Sequence, residues 1–313
     1  MSTAREALTP EALSLLQAVA AAGSFAAAAR ELGLVPSAVT YRIRQLEDAL
    51  DVLLFDRSSR QARLTAAGTE LLCAGQQLLQ EIDAVANRVK RVATGWETEL
   101  TVAVDSVIAA STVMELVEAF YALGPTTRLR LREEVLSGTL DALVSGRADL
   151  AIGVVVEPGT TAGVQSQPLG EITMVYAVAP HHPLAPRTGP LRDDELVKHR
   201  AVAVADSVPR GPGMTLGLLP GQDVLTVSTM RAKLDAQLRG LGGGFLPEPL
   251  ARPYLESGRL VACRVQRPDR ALALRYAWRT AGPAGPGRAL QWWLGQLESA
   301  ATRKALLERH RLA

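Results

Sequence analysis

The sequence is poor in several residue types, and each shortage excludes a class of protein. Its 313 residues include two cysteines, Cys73 and Cys263, with no CxxC pair and no histidines at metal-ligand spacing. This predicts a reduced compartment, no disulfide framework and no structural zinc. Aromatic residues reach only 4%, and the basic residues are 30 arginines and four lysines, a bias of composition that by itself indicates no function.

Long hydrophobic runs and a strong net charge are also lacking. The run 12–29 is rich in alanine and leucine, but Gln17, Gly23 and Ser24 interrupt it, and Glu11 stands where a leader would be basic. We therefore predict no signal peptide, no membrane span and a cytoplasmic location. A net charge of +2 does not indicate a polyanionic partner. The length suggests about two globular domains.

The first 65 residues predict short helices with clear stops. Thr9 caps a helix that ends at Gly23, Ser24 caps a second that ends at Gly33, and a third begins at Pro36. The apolar positions of the third helix recur at spacings of four and three, at Val39, Ile43, Leu46 and Leu50. Two helices joined by a short turn that holds glycine form a helix-turn-helix.

A wing and a long helix are predicted next. Strand-like segments at 52–55 and 62–64 flank a polar turn, and Thr65 then caps a helix that runs to about Ala93. Apolar residues recur in this helix at alternating spacings of four and three, which is the seam of a coiled coil. Dimerisation is predicted through Leu71, Leu78, Ile82, Val85 and Val89. An intramolecular connector helix is the alternative.

From residue 97 onward, strand-like and helical segments alternate, which predicts an α/β domain with a parallel sheet. The first strands are expected at 100–104, 128–132 and 149–154, with helices at 109–123 and 138–145 between them. A similar set follows at 172–263, before a strand at 271–278 and a closing helix that contains Trp292 and Trp293. We predict lobe I at 97–166 and 270–301, lobe II at 167–269, hinges near 165–170 and 266–270, and a tail at 302–313.

One stretch, AGSFAAAARELGLVPSAVTYRIRQLEDALDVLLFDRSSRQARLTAAG, resembles the amino-terminal signature of LysR-type transcriptional regulators. The matching positions are Gly23-Ser24-Phe25, Ala28-Ala29, Leu32, Ala38-Val39, Ile43, Leu46-Glu47, Leu54-Phe55, Arg57, Leu64-Thr65 and Gly68. The rest resembles the effector domain of the family through Gly146-Arg147-Ala148-Asp149-Leu150 and through 242–247. Within the family, the chain resembles the branch that contains the allantoin-utilisation regulator.

The resemblance implies a winged helix-turn-helix at 1–65, a linker and dimerisation helix at 66–96, and a two-lobe, periplasmic-binding-protein-like α/β effector domain at 97–301. It also implies four partners: double-stranded promoter or operator DNA, a small-molecule effector, further copies of the chain in a homodimer or homotetramer, and RNA polymerase.

The DNA-binding candidates follow from the geometry of a recognition helix, whose first turns face base edges. Opposite its apolar face lie the base-reading candidates Ser37, Thr40, Tyr41 and Arg44. Candidates for phosphate contacts are Arg42 and the wing residues Arg57, Arg60 and Arg63, and Ser24 completes the set. The alternative for the wing arginines is that they lie in a solvated loop without contacting DNA. The alternative for Tyr41 is a packing role. The start of this helix departs from the common Ser-Gln-Pro pattern, so known half-site contacts do not transfer.

Effector candidates lie where strands of open α/β lobes end, because ligands bind beyond the carboxyl ends of strands and near helix amino ends. They are Asp105, Ser106, Val107, Glu133, Ser207, Ser228 and Thr229. Each serine and threonine has helix capping as its alternative. Because a carboxylate repels an anion, Asp105 and Glu133 predict a neutral or donor-rich effector, such as an amide or a ureide.

Together these features predict a sequence-specific transcription regulator controlled by a small molecule between two lobes. The alternative is a cytosolic solute-binding protein with the same lobes. No nucleophile, base and orienting group can be assembled from the motifs, so we predict no enzyme activity, no catalytic residue, no cofactor and no metal. Residues 1–96 carry 10 basic and 10 acidic side chains. DNA affinity is therefore expected from small basic patches that dimerisation repeats.

Overall fold

The computed structural model describes residues 4–56, 62–155, 163–208, 215–266, 270–280 and 285–310. The chain divides into two compact units, residues 1–88 and residues 89–313. Each unit contains a hydrophobic core of its own.

The first unit is a winged helix-turn-helix. Its helices are α1 (Ala4–Ala7), α2 (Pro10–Ala22), α3 (Phe25–Glu31) and α4 (Pro36–Leu50), and α5 (Ala66–Thr94) begins in it. Strand β1 (Phe55–Asp56) pairs antiparallel with β2 (Arg63–Leu64), which forms the wing. The predicted fold class of this region is confirmed.

Local sequence signals position these helices. The Thr9 Oγ1 atom accepts a hydrogen bond from Ala12 N at 3.2 Å, and Gly23 ends α2 in the left-handed region with a φ of 67°. The apolar faces of the helices then meet in one core, in which Leu16, Val39 and Ile43 are fully or almost fully buried. Burial of each such side chain stabilises the fold by about 1.5–3 kcal/mol.

The long helix α5 contains 29 residues and is therefore about 43 Å long. Thr65 caps it, because its Oγ1 atom accepts a hydrogen bond from Gly68 N at 3.0 Å. No single helix among the described residues is long and apolar enough to cross a membrane, and only α2 with α3, bent by 116°, reach that length and hydropathy together.

The second unit alternates strands and helices. Lobe I is formed by β3 (Glu99–Asp105), α6 (Ala110–Tyr121), β4 (Arg128–Glu134), α7 (Ser137–Val144) and β5 (Leu150–Val154). Lobe II is formed by α8 (Asp193–Leu196), β7 (Ala201–Val204), β8 (Val224–Val227), α9 (Met230–Leu238), β9 (Gly244–Pro247), α10 (Glu248–Glu256) and β10 (Val261–Ala262). Strands β6 (Val164–Val178) and β11 (Arg270–Arg279) connect the lobes, and α11 (Arg288–Glu298) and α12 (Ala300–Glu308) follow.

Strands β6 and β11 run from one lobe into the other. In the described residues the main sheet has the order β10-β6-β11-β5-β3-β4, with β9 also on β6, and β3 pairs parallel with β4 and β5 as predicted. Strand β11 pairs antiparallel with β6 along its length and with β5 near its end. The register of the β6–β11 pair shifts between Leu274, which faces Gly170, and Arg275, which faces Pro168. The hinge predicted at 165–170 therefore lies inside a paired strand at a bulge.

The chain end differs from the predicted tail at 302–313, because residues 300–308 form helix α12. Leu306 is fully buried, and its carbonyl accepts a hydrogen bond from Ala109 N at 2.8 Å. The Thr112 hydroxyl donates to the carbonyl of Ala305 at 3.2 Å. The apolar run 305–307 explains the difference, since it covers the core of the second unit.

Candidate functional site

The recognition helix α4 has one buried face and one exposed polar face. Val39, Ile43 and Leu46 are buried in the first unit, as their spacing predicts. Ser37, Tyr41 and Arg44 are exposed and Thr40 is half-buried, so the four base-reading candidates share the outer face. Arg42 is also exposed.

Two hydrogen bonds organise this outer face. The Thr40 hydroxyl donates to the carbonyl of Pro36 at 2.9 Å, within its own helix. The Gln45 amide donates to the hydroxyl oxygen of Tyr41 at 3.1 Å, which fixes a ring that is 63% exposed. The alternative role for Tyr41, packing against other side chains, does not fit a ring that is so exposed. The Tyr41 hydroxyl keeps its own hydrogen for donation to an acceptor.

Ser24 and the wing residues occupy different environments. The Ser24 hydroxyl oxygen accepts a hydrogen bond from Ala27 N at 3.1 Å, so it caps α3. Arg63 is exposed on β2. Arg57 and Arg60 lie outside the described residues.

The wing is joined to the recognition helix by Glu47, which the signature contains but which we did not predict as a structural residue. Its side chain is buried, and its Oε1 atom accepts hydrogen bonds from Leu54 N at 2.9 Å and Phe55 N at 3.4 Å. Gly68 of α5 lies against the same segment, because an added Cβ would come within 2.0 Å of the Leu54 carbonyl oxygen.

The dimerisation candidates on α5 divide into two groups. Leu71 is partly buried and packs against the core of the first unit. Leu78, Ile82, Val85 and Val89 are 52%, 48%, 45% and 67% exposed. These four residues form an apolar stripe that a single chain leaves in water.

A cavity of about 140 Å³ lies between the lobes of the second unit. Its lining is mainly apolar and comes from β3, β6, β11 and α9, among other segments. The lining residues are Asp105, Ser106, Val107, Val135, Leu136, Met174, Val204, Leu216, Met230, Lys233, Phe245, Ala271 and Leu272. Of the seven predicted effector residues, the structure brings Asp105, Ser106 and Val107 to this cavity.

Asp105 is 2% exposed, and its carboxylate is occupied by groups of its own lobe. Val107 N donates to Oδ1 at 3.0 Å, while Leu136 N and the Thr139 hydroxyl donate to Oδ2 at 2.9 Å and 3.2 Å. Burial raises the pKa of Asp105 to about 7, although these hydrogen bonds act in the opposite direction. Leu136 has a φ of 54°, a costly conformation for a residue that has a Cβ atom, and its N–H is the group that donates to Asp105 Oδ2.

Ser106 and Lys233 supply the other polar groups of the cavity. The Ser106 hydroxyl is buried without a hydrogen-bond partner in the described part of the chain. Lys233 is 6% exposed, and no described residue accepts a hydrogen bond from its Nζ atom or forms an ion pair with it. Burial lowers the pKa of Lys233 to about 8. Sequence reasoning missed Lys233, because a single lysine in a helical segment has the pattern of a solvated position.

Glu133 and Glu134 both lie at the end of β4, but Glu133, the predicted effector residue, does not reach the cavity. Glu133 is exposed and Glu134 is buried, and neither residue lines the cavity. The Glu134 carboxylate accepts from Arg132 Nη2 at 3.1 Å and Arg147 Nη1 at 3.4 Å. The register explains this correction, since Asp105 of β3 lies opposite Glu134 of β4.

Ser207 joins the two lobes instead of lining the cavity. Its hydroxyl donates to Glu134 Oε2 at 2.6 Å and accepts from Val135 N at 2.9 Å. The neighbouring Asp206 carboxylate accepts from Gly138 N at 3.2 Å and from the Ser137 hydroxyl at the start of α7. We call this set, residues 206–207 of lobe II against residues 134–138 of lobe I, the interlobe contact.

Ser228 and Thr229 lie before α9 and outside the cavity lining. The Thr229 hydroxyl accepts a hydrogen bond from Ala232 N at 3.1 Å and caps the helix, which was its alternative interpretation. Ser228 is exposed. Among the described residues no cluster of three or more histidine, cysteine, aspartate or glutamate side chains could hold a metal ion.

Comparisons with known proteins define the class. Residues 10–69 match the family described as bacterial regulatory helix-turn-helix protein, lysR family, and residues 93–302 match the LysR substrate binding domain. The chain therefore belongs to the LysR family of transcriptional regulators.

Named relatives span nearly the whole chain. This chain is 36% identical to the uncharacterised HTH-type transcriptional regulator YeeY of Escherichia coli K12. The match spans 289 residues, which are 92% of this chain and 92% of YeeY. It is 37% identical to the probable regulator YhaJ of the same organism, over 93% of this chain and 96% of YhaJ. The activator AllS of Klebsiella pneumoniae is 34% identical over 82% of this chain and 95% of AllS. The relatives are named as regulators, which are not enzymes, so the resemblance and the non-enzymatic prediction are confirmed.

Solved structures share the fold. Full-length CbnR in complex with its target DNA matches with a TM-score of 0.59 at 18% identity, over 93% of this chain and 99% of CbnR. LysG of Corynebacterium glutamicum with bound effector Arg matches with a TM-score of 0.52 at 23% identity, over 96% and 99% of the two chains. The prediction of a winged helix-turn-helix followed by a two-lobe domain is thereby confirmed.

Proposed function

We propose that this LysR-type regulator reads promoter or operator DNA with the outer face of α4 and responds to a small molecule in the interlobe cavity. The observation that carries the proposal is the polar row Ser37, Thr40, Tyr41 and Arg44 over a buried apolar face. A helix of this kind fits the major groove, where hydroxyls and a guanidinium can distinguish base edges.

Phosphate contacts are proposed for Arg42, for the wing residues Arg57, Arg60 and Arg63, and for Ser24 at the amino end of α3. Such contacts fix the register of the protein on DNA without reading sequence. Residues 1–96 have equal numbers of acidic and basic side chains, so one subunit should bind non-specific DNA weakly. The proposed place of action is the cytoplasm, where promoter DNA and RNA polymerase are the partners.

Two subunits would supply the missing affinity. The apolar stripe on α5 is placed to pack against a second copy of the helix, and dimers of LysR type could pair again into tetramers. A dimer presents two recognition helices to two half-sites, which multiplies a modest affinity per subunit.

Control by the effector requires a difference in affinity between two arrangements of the lobes. A ligand that binds better when residues 206–207 contact residues 134–138 would favour that arrangement, and a ligand that prevents the contact would favour the other. Either change would alter how paired subunits hold and bend the operator.

A gel shift with the DNA directly upstream of the gene tests the DNA-reading assignment. We expect specific binding that survives competitor DNA and is lost in the double variant Thr40→Ala with Arg44→Ala. The matched control is Arg239→Ala, which removes an exposed arginine of lobe II that pairs with Asp235. Binding of the double variant at the parent affinity would contradict the proposal.

Light scattering of the double variant Leu78→Asp with Val85→Asp tests the dimer. Charge on the stripe should yield monomers that remain folded, because both side chains are about half exposed in the single chain. An unchanged dimer would place the interface elsewhere, whatever the result of the gel shift.

A further inference from the structure

The interlobe cavity contains a buried positive charge without a counter-charge among the described residues. Lys233 projects from α9, where Thr229 starts the helix one turn earlier, and 94% of its surface is hidden from water. Removing an ammonium group from water is costly unless an anion compensates. A lysine kept in such a place is therefore suited to a ligand that brings the negative charge.

Asp105 does not supply that charge. Both of its oxygens accept hydrogen bonds from Val107, Leu136 and Thr139, all within lobe I. Burial lowers the pKa of Lys233, and the charge of Asp105 is not one of the causes of that shift. Because these donors of lobe I already bind its oxygens, Asp105 repels an anionic effector less than the sequence suggested, and Lys233 favours an anion.

Size and lining restrict the rest of the ligand. The cavity of about 140 Å³ is close to the engineered apolar cavity of about 150 Å³ that holds one benzene molecule. Beside Lys233 and Asp105, its walls are apolar except for Ser106, whose buried hydroxyl has no described partner. One charged group, one hydroxyl and an apolar remainder define a compact amphipathic ligand.

We propose that the effector is a compact apolar carboxylate, with its carboxylate on Lys233 of lobe II and a hydrocarbon body about the size of one benzene ring in the cavity. Ser106 of lobe I would donate to the same or a second oxygen of the ligand. The proposal rests on the proposed function, since it names the ligand of the interlobe cavity. It assigns selection of the charge to α9 rather than to the strand ends of lobe I.

The test uses two probes of nearly equal shape, benzoate and benzamide, which differ in charge. Calorimetry on the full chain at pH 7 should show benzoate binding at least tenfold more tightly than benzamide. Lys233→Met keeps the length of the side chain and removes the charge, so it should fold at least as stably and lose at least tenfold in benzoate affinity. The matched control is Lys198→Met, an exposed lysine of lobe II, which should leave both affinities unchanged.

Three results would overturn the proposal: no benzoate binding at millimolar concentration, equal affinity for benzoate and benzamide, or unchanged benzoate binding by Lys233→Met. The thermal unfolding of Lys233→Met, measured in parallel, shows that any lost binding occurs in a folded protein. The operator gel shift without ligand does not involve Lys233, so failure of this proposal is distinguishable from failure of the proposed DNA-binding function.

Discussion

The side chains proposed to read DNA lie on the outer face of α4, whereas the ionisable side chains of the interlobe cavity, Asp105 and Lys233, are 2% and 6% exposed. Exposed residues on a packed helix can change with little effect on stability, because water already solvates them. Buried ionisable residues affect stability and ligand binding together, because burial penalises their charge. The proposed DNA-reading face can therefore change by surface substitution, while a change in the proposed ligand of the second unit requires repacking of a core.

The largest effect on stability is expected at Gly68, which packs against the wing segment beneath the exposed surface of the first unit. In Gly68→Ala the added Cβ would meet the Leu54 carbonyl at 2.0 Å, and the wing would have to shift. We expect a loss of about 2–3 kcal/mol in the free energy of unfolding, the scale of overpacking a core. Chemical denaturation measures it.

The control for that substitution is Gly295→Ala in α11, where an added Cβ meets no atom within 4 Å. Helix propensity should there stabilise the chain by up to about 1 kcal/mol. If Gly68→Ala also stabilised the chain, the result would contradict the close packing of α5 against the segment that enters the wing.

A second prediction concerns the interlobe contact. Ser207→Ala leaves Val135 N and Glu134 with one partner fewer and should cost about 1–3 kcal/mol. Gly138→Ala should also destabilise, because its Cβ would lie 1.9 Å from the Ser207 hydroxyl oxygen. The double variant should lose less than the sum, since removal of the hydroxyl relieves the clash. Additive losses in a double-mutant cycle would show that the two residues are not in contact.

A third prediction is the pH dependence of benzoate binding. With a pKa of about 8, Lys233 of the free protein loses its proton above pH 8, and the affinity should then fall by up to about tenfold per pH unit. Asp105, with a pKa of about 7, becomes negative between pH 6 and pH 8, which acts in the same direction. These are the ionisable groups in the described cavity lining, and Tyr176 shares a smaller pocket with Lys233.

Calorimetry from pH 6 to pH 9 measures this dependence. In Lys233→Met the decline above pH 8 should be absent, because no ammonium remains to titrate. A benzoate affinity of the parent that stays constant or rises with pH would contradict the assignment.

The smallest effect is expected at the wing. Arg63→Ala removes one exposed guanidinium and should weaken binding to operator and unrelated DNA by the same modest factor. The slope of log K against log salt concentration should fall by about 1, since one phosphate contact releases about one counterion. A selective loss of operator binding would instead make Arg63 a reader of sequence.

Periodicity explains why the first unit could be predicted from the sequence. The spacing of Val39, Ile43 and Leu46 determines which face of α4 is buried, and the helix geometry then places Thr40 and Arg44 outside. Short-range signals such as the Ser24 cap and the Gly23 stop lie within a few residues of the helices they bound. The strands of lobe I were predicted for the same reason, because each lies between local turn signals.

The cavity depends on contacts between distant segments, and for that reason only part of it was predicted. Asp105 was identified at a strand end, but its oxygens are occupied by groups some 30 residues later in the chain. The choice between Glu133 and Glu134 depends on the register of β4 against β3, which one strand alone does not determine. Lys233 and Asp105 line the same cavity but lie far apart in the sequence, in different lobes. No local pattern distinguishes Lys233 from a surface lysine.

The arrangement of β6 and β11 has a consequence for recombination between regulators. Lobe II is inserted between the strands of lobe I, and the chain enters it along β6 and leaves it along β11. Exchange of lobe II for that of a relative therefore needs two junctions, not one. The bulge where Leu274 faces Gly170 is the place where both junctions can be made in paired backbone, and a chimera joined there would retain the lobe I sheet, α5 and the recognition helix of its parent.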